Sequence, residues 1–128
     1  MLTSADVRRL AMGLPQVAES SAEDRLAFEM GGKAIAWTYL VRAAPKKPRR
    51  PQIDVLAVRC AIQRKEVLIE AAPDVFFDDD HYRGYPAVLV RLTAIEEAEL
   101  TALLRAAWAI QAPTALRKAH PDLSREVG

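Results

Sequence analysis

The densest charge feature of the chain is Lys46-Lys47-Pro48-Arg49-Arg50, four cations in five residues. Clustered lysines and arginines suit contact with phosphate oxygens. Prolines at 45, 48 and 51 stiffen the tract toward an extended conformation. It reads as a cationic wing between two strands, or as a solvated loop that keeps a sheet edge from pairing with other chains. A second group is His81-Tyr82-Arg83-Gly84-Tyr85-Pro86. Rings, a cation and a turn glycine together can stack bases or hold a ligand. The same residues also suit a structural turn whose tyrosines cover the end of a sheet, with Gly84 at a φ that other residues avoid.

The remaining polar clusters point to no reaction. Asp78-Asp79-Asp80-His81 offers carboxylates, but adjacent residues of an extended segment alternate sides, so at most two converge. The spacing also fails the EF-hand pattern. A solvated acidic turn is expected there. His81 and His120 lie far apart, and Cys60 is the only cysteine, so no zinc pattern exists. Cys60 ends an apolar run and reads as a small buried residue. Nothing orients a nucleophile–base pair. Gly31-Gly32 precedes no helix, which excludes a phosphate-binding loop. The expectation is a protein with no catalytic residues, no metal and no cofactor.

Bulk properties narrow the class. A chain of 128 residues, 51% hydrophobic and 27% charged, fits one globular domain that spans residues 1–128. Such a domain buries roughly two-thirds of the surface its unfolded chain exposes, so it needs neither disulfide nor metal. A net charge of +1 leaves only the distribution of charge to argue for nucleic acid. A lone cysteine, no apolar leader within residues 1–17 and no run near the roughly 18 residues of a membrane span predict a cytoplasmic protein with no membrane partner. Oligomeric state is left open between monomer and weak dimer.

The elements that must position these groups follow from periodicity. Thr3 and Asp6 form a capping box for a helix over 3–13, closed by Gly13 and Pro15. Residues 25–30 alternate, with Leu26, Phe28 and Met30 on one face. Gly31-Gly32 turns the chain, and 33–41 returns with Ile35, Trp37, Tyr39 and Val41 sharing a face. A loop over 43–52 leads to a central strand over 53–60, apolar on both faces. A helix over 62–72 and strands over 75–77 and 86–92 follow, the last with Val88, Val90 and Leu92 on one face. Thr93 and Glu96 suggest a second capping box for a helix over 94–111. Leu100, Leu103, Leu104, Ala107 and Ile110 form its stripe, with Trp108 at the border. One further turn is expected over 114–120. Trp37 and Trp108 are expected to pack together or into the core. The expected class is α+β: two layers, an antiparallel sheet with helices packed on it, in the order α-β(3)-α-β(2)-α.

Three segments resemble the MmcQ/YjbR family: Phe28 to Ala36; Ala72 to Phe77 followed by His81 to Leu92; and Ala107-Trp108 with Gln111-Ala112-Pro113 and Leu116. Their order and spacing cover nearly the whole chain. The resemblance implies the same order of elements. It also implies the family's DNA-binding label, with DNA as the partner. The residues expected to carry that role are Lys46, Lys47, Arg49, Arg50, His81, Tyr82, Arg83 and Tyr85. Two other functions compete: a protein-interaction or chaperone-like domain, and a small-ligand binder or enzyme with an unrecognised pocket.

Overall fold

The computed structural model describes residues 1–41, 46–48 and 50–124. Helix α1 (Ser4–Met12) starts at a capping box in which Thr3 and Asp6 satisfy each other's backbone N–H groups. Those hydrogen bonds hold the Asp6 carboxyl below the usual carboxylate range. Strands β1 (Val17–Glu19), β2 (Ala27–Met30), β3 (Lys33–Val41) and β4 (Arg50–Arg59) follow. Next come α2 (Ile62–Ala71), β5 (Phe76–Phe77), β6 (Ala87–Arg91), α3 (Glu97–Gln111), α4 (Thr114–Ala119) and α5 (Pro121–Ser124). The strands form one antiparallel sheet in the order β1-β2-β3-β4-β6-β5. With helices packed on it, this is the expected α+β architecture.

Gly31 and Gly32 lie at φ of +58° and +80°, which lets a two-residue turn join β2 to β3. Leu26, Phe28 and Met30 are all buried on the core side. Pairing runs Phe28↔Ala36 and then Glu29↔Ala34. Ile35 is therefore an extra residue on β3, a bulge that reverses the alternation of the strand. Ile35 joins the main core, whereas Trp37, Tyr39 and Val41 pack on the other face. The single face predicted for these four residues is corrected accordingly.

The main core lies between the sheet and the helices. It gathers Val7 and Ala11 of α1, Phe28, Ile35, Leu56, Val58, Val88 and Val90 of the sheet, and Leu100, Leu103, Leu104, Ala107 and Trp108 of α3. Trp108 sits inside this core with its indole N–H donating to Pro15 O at 2.8 Å. It is not a border residue; Ile110 is, at 40% exposed. The predicted Thr93–Glu96 capping box does not form. Residues 92–94 make a turn, and α3 starts at Glu97 after Glu96, which caps without a side-chain bond. The predicted loop over 43–52 is shorter, since Arg50, Pro51 and Gln52 pair with Val41, Leu40 and Tyr39 as part of β4. The short edge strand β1 has no counterpart in the sequence reading.

Candidate functional site

The face of the sheet away from the main core carries a second apolar cluster: Tyr39, Val55, Ala57, Tyr82, Ala87 and Leu89, with Trp37, Val41 and Phe77 packed against it. None of its members belongs to a helix. Residues directly paired across strands share a face, so the register places more groups here. Arg50 pairs with Val41, Gln52 with Tyr39, Arg59 with Ala87, and Arg91 with Val55. Three arginines therefore stand on the aromatic side of the sheet.

Two of these arginines already engage rings. The Arg59 guanidinium lies 5.7 Å from the Trp37 ring centroid and 5.0 Å from that of Tyr85. It also donates to the Tyr85 hydroxyl at 3.1 Å. Arg91 covers Phe77 at 4.0 Å. Contacts of this geometry are cation–π interactions. Beside Trp37 a pocket of about 400 Å³ opens, lined by Ala34, Trp37, His81, Tyr82 and Tyr85.

The 81–86 segment forms this pocket because it is folded back over the sheet and fastened. Gly84 takes a φ of +76°, a conformation glycine adopts without steric cost. Asp79 accepts the Tyr82 N–H at 2.7 Å and the Tyr39 hydroxyl. Asp78 pairs with the ammonium of Lys65 at 3.1 Å, and Asp80 with Arg83 at 2.8 Å. Two of the three carboxylates thus point inward to partners. The solvated acidic turn predicted for them is corrected: only Asp80 is exposed, and among the described residues no cluster could hold a metal ion.

Lys65 is one residue that sequence reasoning missed. It is 3% exposed, and its ammonium donates to Tyr82 O at 2.7 Å and Tyr85 O at 3.0 Å besides pairing with Asp78. An ammonium has three protons, and each has a partner. The signal was available. Lys65, Leu68, Ile69 and Ala72 follow helical i, i+3, i+4, i+7 spacing, so the lysine occupies a core position of α2. A lysine there must reach buried acceptors, since an unpaired buried charge is very costly.

The predicted site residues fall into two groups. His81 and Tyr85 are exposed at the pocket, with Tyr85 at 41%; Arg83 is exposed but does not line it and pairs with Asp80. Tyr82 is buried and accepts the Trp37 indole N–H at 2.9 Å. Its place is to hold Trp37 rather than to offer a free ring. Lys46, Lys47 and Arg50 are exposed at the other end of the β3–β4 hairpin. Arg49 lies outside the described residues. Four residue steps along β3 lead from Trp37 to Val41 beside Arg50, about 13 Å at strand spacing. Trp37, Arg59 and Arg91 were not among the predicted site residues. Trp37 and Trp108 occupy opposite faces and do not pack together. Cys60 is buried as expected, and burial pushes its thiol up.

These features sit on a known kind of chain. The YjbR family model matches residues 12–110, and the chain belongs to that family. Uncharacterised proteins of Mycobacterium bovis (Mb2600) and Mycobacterium tuberculosis (Rv2570) are 37% identical over 126 residues, which is 93% of this chain and 95% of each relative. The crystal structure of Deinococcus radiodurans protein DR2400, of domain DUF419, is similar with a TM-score of 0.67. It is 23% identical and covers 97% of this chain and 89% of that one. That likeness concerns the fold. No helix among the described residues is long and apolar enough to cross a membrane.

Proposed function

We propose that this protein is a nucleic-acid-binding module that uses the helix-free face of its sheet, with single-stranded DNA as the preferred form. The observation that carries the reading is the Trp37–Arg59–Tyr85 stack beside an open pocket, on the face that Arg50 and Arg91 share. Every base has a π-face. Half-exposed rings on a sheet can therefore take unstacked bases whatever their sequence. The cations at the 46–50 end would then follow the phosphates of the same strand. A duplex keeps its bases stacked inside and cannot use the pocket.

The test is a titration of single-stranded DNA, RNA and duplex DNA at two salt concentrations. Four phosphate contacts from Lys46, Lys47, Arg49 and Arg50 would give a slope of about −2.8 in log affinity against log salt for a single strand. Replacing all four by Ser should flatten most of that slope and leave the melt unchanged, because Lys46, Lys47 and Arg50 are exposed. Tyr85→Ala should instead weaken binding by about 1–3 kcal/mol with the slope intact. Absence of salt-dependent binding to all three nucleic acids at low ionic strength would end the proposal.

A further inference from the structure

A second opening lies between helices rather than on the aromatic face of the sheet. It is a groove of about 400 Å³ between α2 and α3, lined by Cys60, Ala61, Gln63, Arg64, Val67, Ala106 and Ile110. A smaller recess bordered by Arg59, Pro86 and Gln111 shares Cys60, Ala61 and Ile110 with it, so the two adjoin. Val67 is 64% exposed and Ile110 40%. Contiguous exposed apolar surface marks binding sites, and Val67 and Ile110 carry the apolar lining of the groove out to the surface.

Among the described residues Arg64 is the one charged side chain that lines the groove itself, with Arg59 in the adjoining recess. Arg64 makes no ion pair among the described residues. Its Nε–H is shut off from solvent and meets no acceptor. With Nε enclosed, the groups open to a ligand are the terminal Nη nitrogens, and a half-buried guanidinium without an ion pair against apolar walls favours a carboxylate on them. Guanidinium and carboxylate match in geometry and pair through two parallel hydrogen bonds. The walls beyond Arg64 offer mostly hydrocarbon.

We propose that this groove binds a free aliphatic carboxylate, with the head group on Arg64 and the chain along Ala61, Val67, Ala106 and Ile110. A neutral amphiphile would leave the guanidinium unanswered, and a cationic one would be repelled by it. The Cys60 thiol, raised by burial, stays neutral and adds no opposing charge to the wall.

The experiment compares decanoate, decanol and decyltrimethylammonium on the full chain by calorimetry, below the concentration at which any of them forms micelles. Decanoate should bind at least about ten-fold more tightly than decanol, the factor expected for one charge-assisted pair, and the ammonium should not bind. Arg64→Gln should remove the advantage of decanoate over decanol, and Arg64→Lys should keep part of it. Equal binding of decanoate and decanol by the parent protein would overturn the proposal, as would failure of decanoate to bind. The head-group comparison on the parent needs no variant, so it stands even if Arg64→Gln alters the fold.

Discussion

Lys65→Met should lower the free energy of unfolding by about 3 kcal/mol. Methionine keeps the length and packing of the stem but removes all three donors. Tyr82 O and Tyr85 O then lose the ammonium and keep one backbone N–H donor each, and Asp78 loses its ion pair. Buried pairs broken from one side cost about 3–5 kcal/mol. The Asp78 side chain is 29% exposed, so water can reach it, which sets the expectation at the lower end. A urea titration measures the loss. Amide exchange adds a local readout, because the Tyr85 N–H that bonds Tyr82 O at 2.9 Å should become less protected. Adding Asp78→Asn to Lys65→Met should cost less than the sum of the two single changes. An unchanged urea midpoint in Lys65→Met would mean that the turn holds without its ammonium.

Leu104→Ala should destabilise the protein by about 2–5 kcal/mol. Leu104 is 1% exposed and packs in the core with Leu100, Ala107 and Trp108, so its loss leaves a cavity that backbone from both layers must close. Ile110 provides the control. It belongs to the same stripe by spacing but stands at the groove, and Ile110→Ala should shift the denaturation midpoint far less. Equal losses in the two variants would place the centre of α3's buried face wrongly.

The contrast between Leu104 and Ile110 shows how far the sequence was legible. Local signals with a definite chemistry carried over. The Thr3–Asp6 capping box, the Gly31-Gly32 turn and the bounds of β3 all stand as read. The α+β class followed from them. Signals that depend on tertiary packing did not carry over. Nothing in the residues around Ile35 announces a bulge, because Ile35 and Trp37 suit either face of a strand. β1 has three residues, too few to show an alternation. Helix α3 begins three residues later than the spacing suggests, since Leu92 to Ala94 bend as a turn on leaving β6. That removes the second capping box.

The site was legible only in pieces. His81, Arg83 and Tyr85 were visible as a loop with suitable chemistry. Their partner Trp37 comes from a strand more than forty residues away, and Arg59 from another; a chain read in order cannot place them together. The three aspartates misled because composition alone cannot distinguish a solvated run from one that fastens Lys65 and Tyr39. A lysine at a core position of α2 was the overlooked clue.

The most direct measurement of the proposed interface uses the chain's two tryptophans. The Trp37 indole N–H lies at the pocket, bonded to the Tyr82 hydroxyl, whereas that of Trp108 is held inside the core by Pro15 O. Titration with an oligodeoxythymidylate at low salt, followed by the two indole nitrogen–proton NMR signals, separates them within one sample. The Trp37 signal should move along a saturating curve that added salt reverses, while the Trp108 signal stays in place. A Trp37 signal that does not move while the oligonucleotide binds, or the absence of any binding, would contradict the assignment of nucleic acid to this face of the sheet.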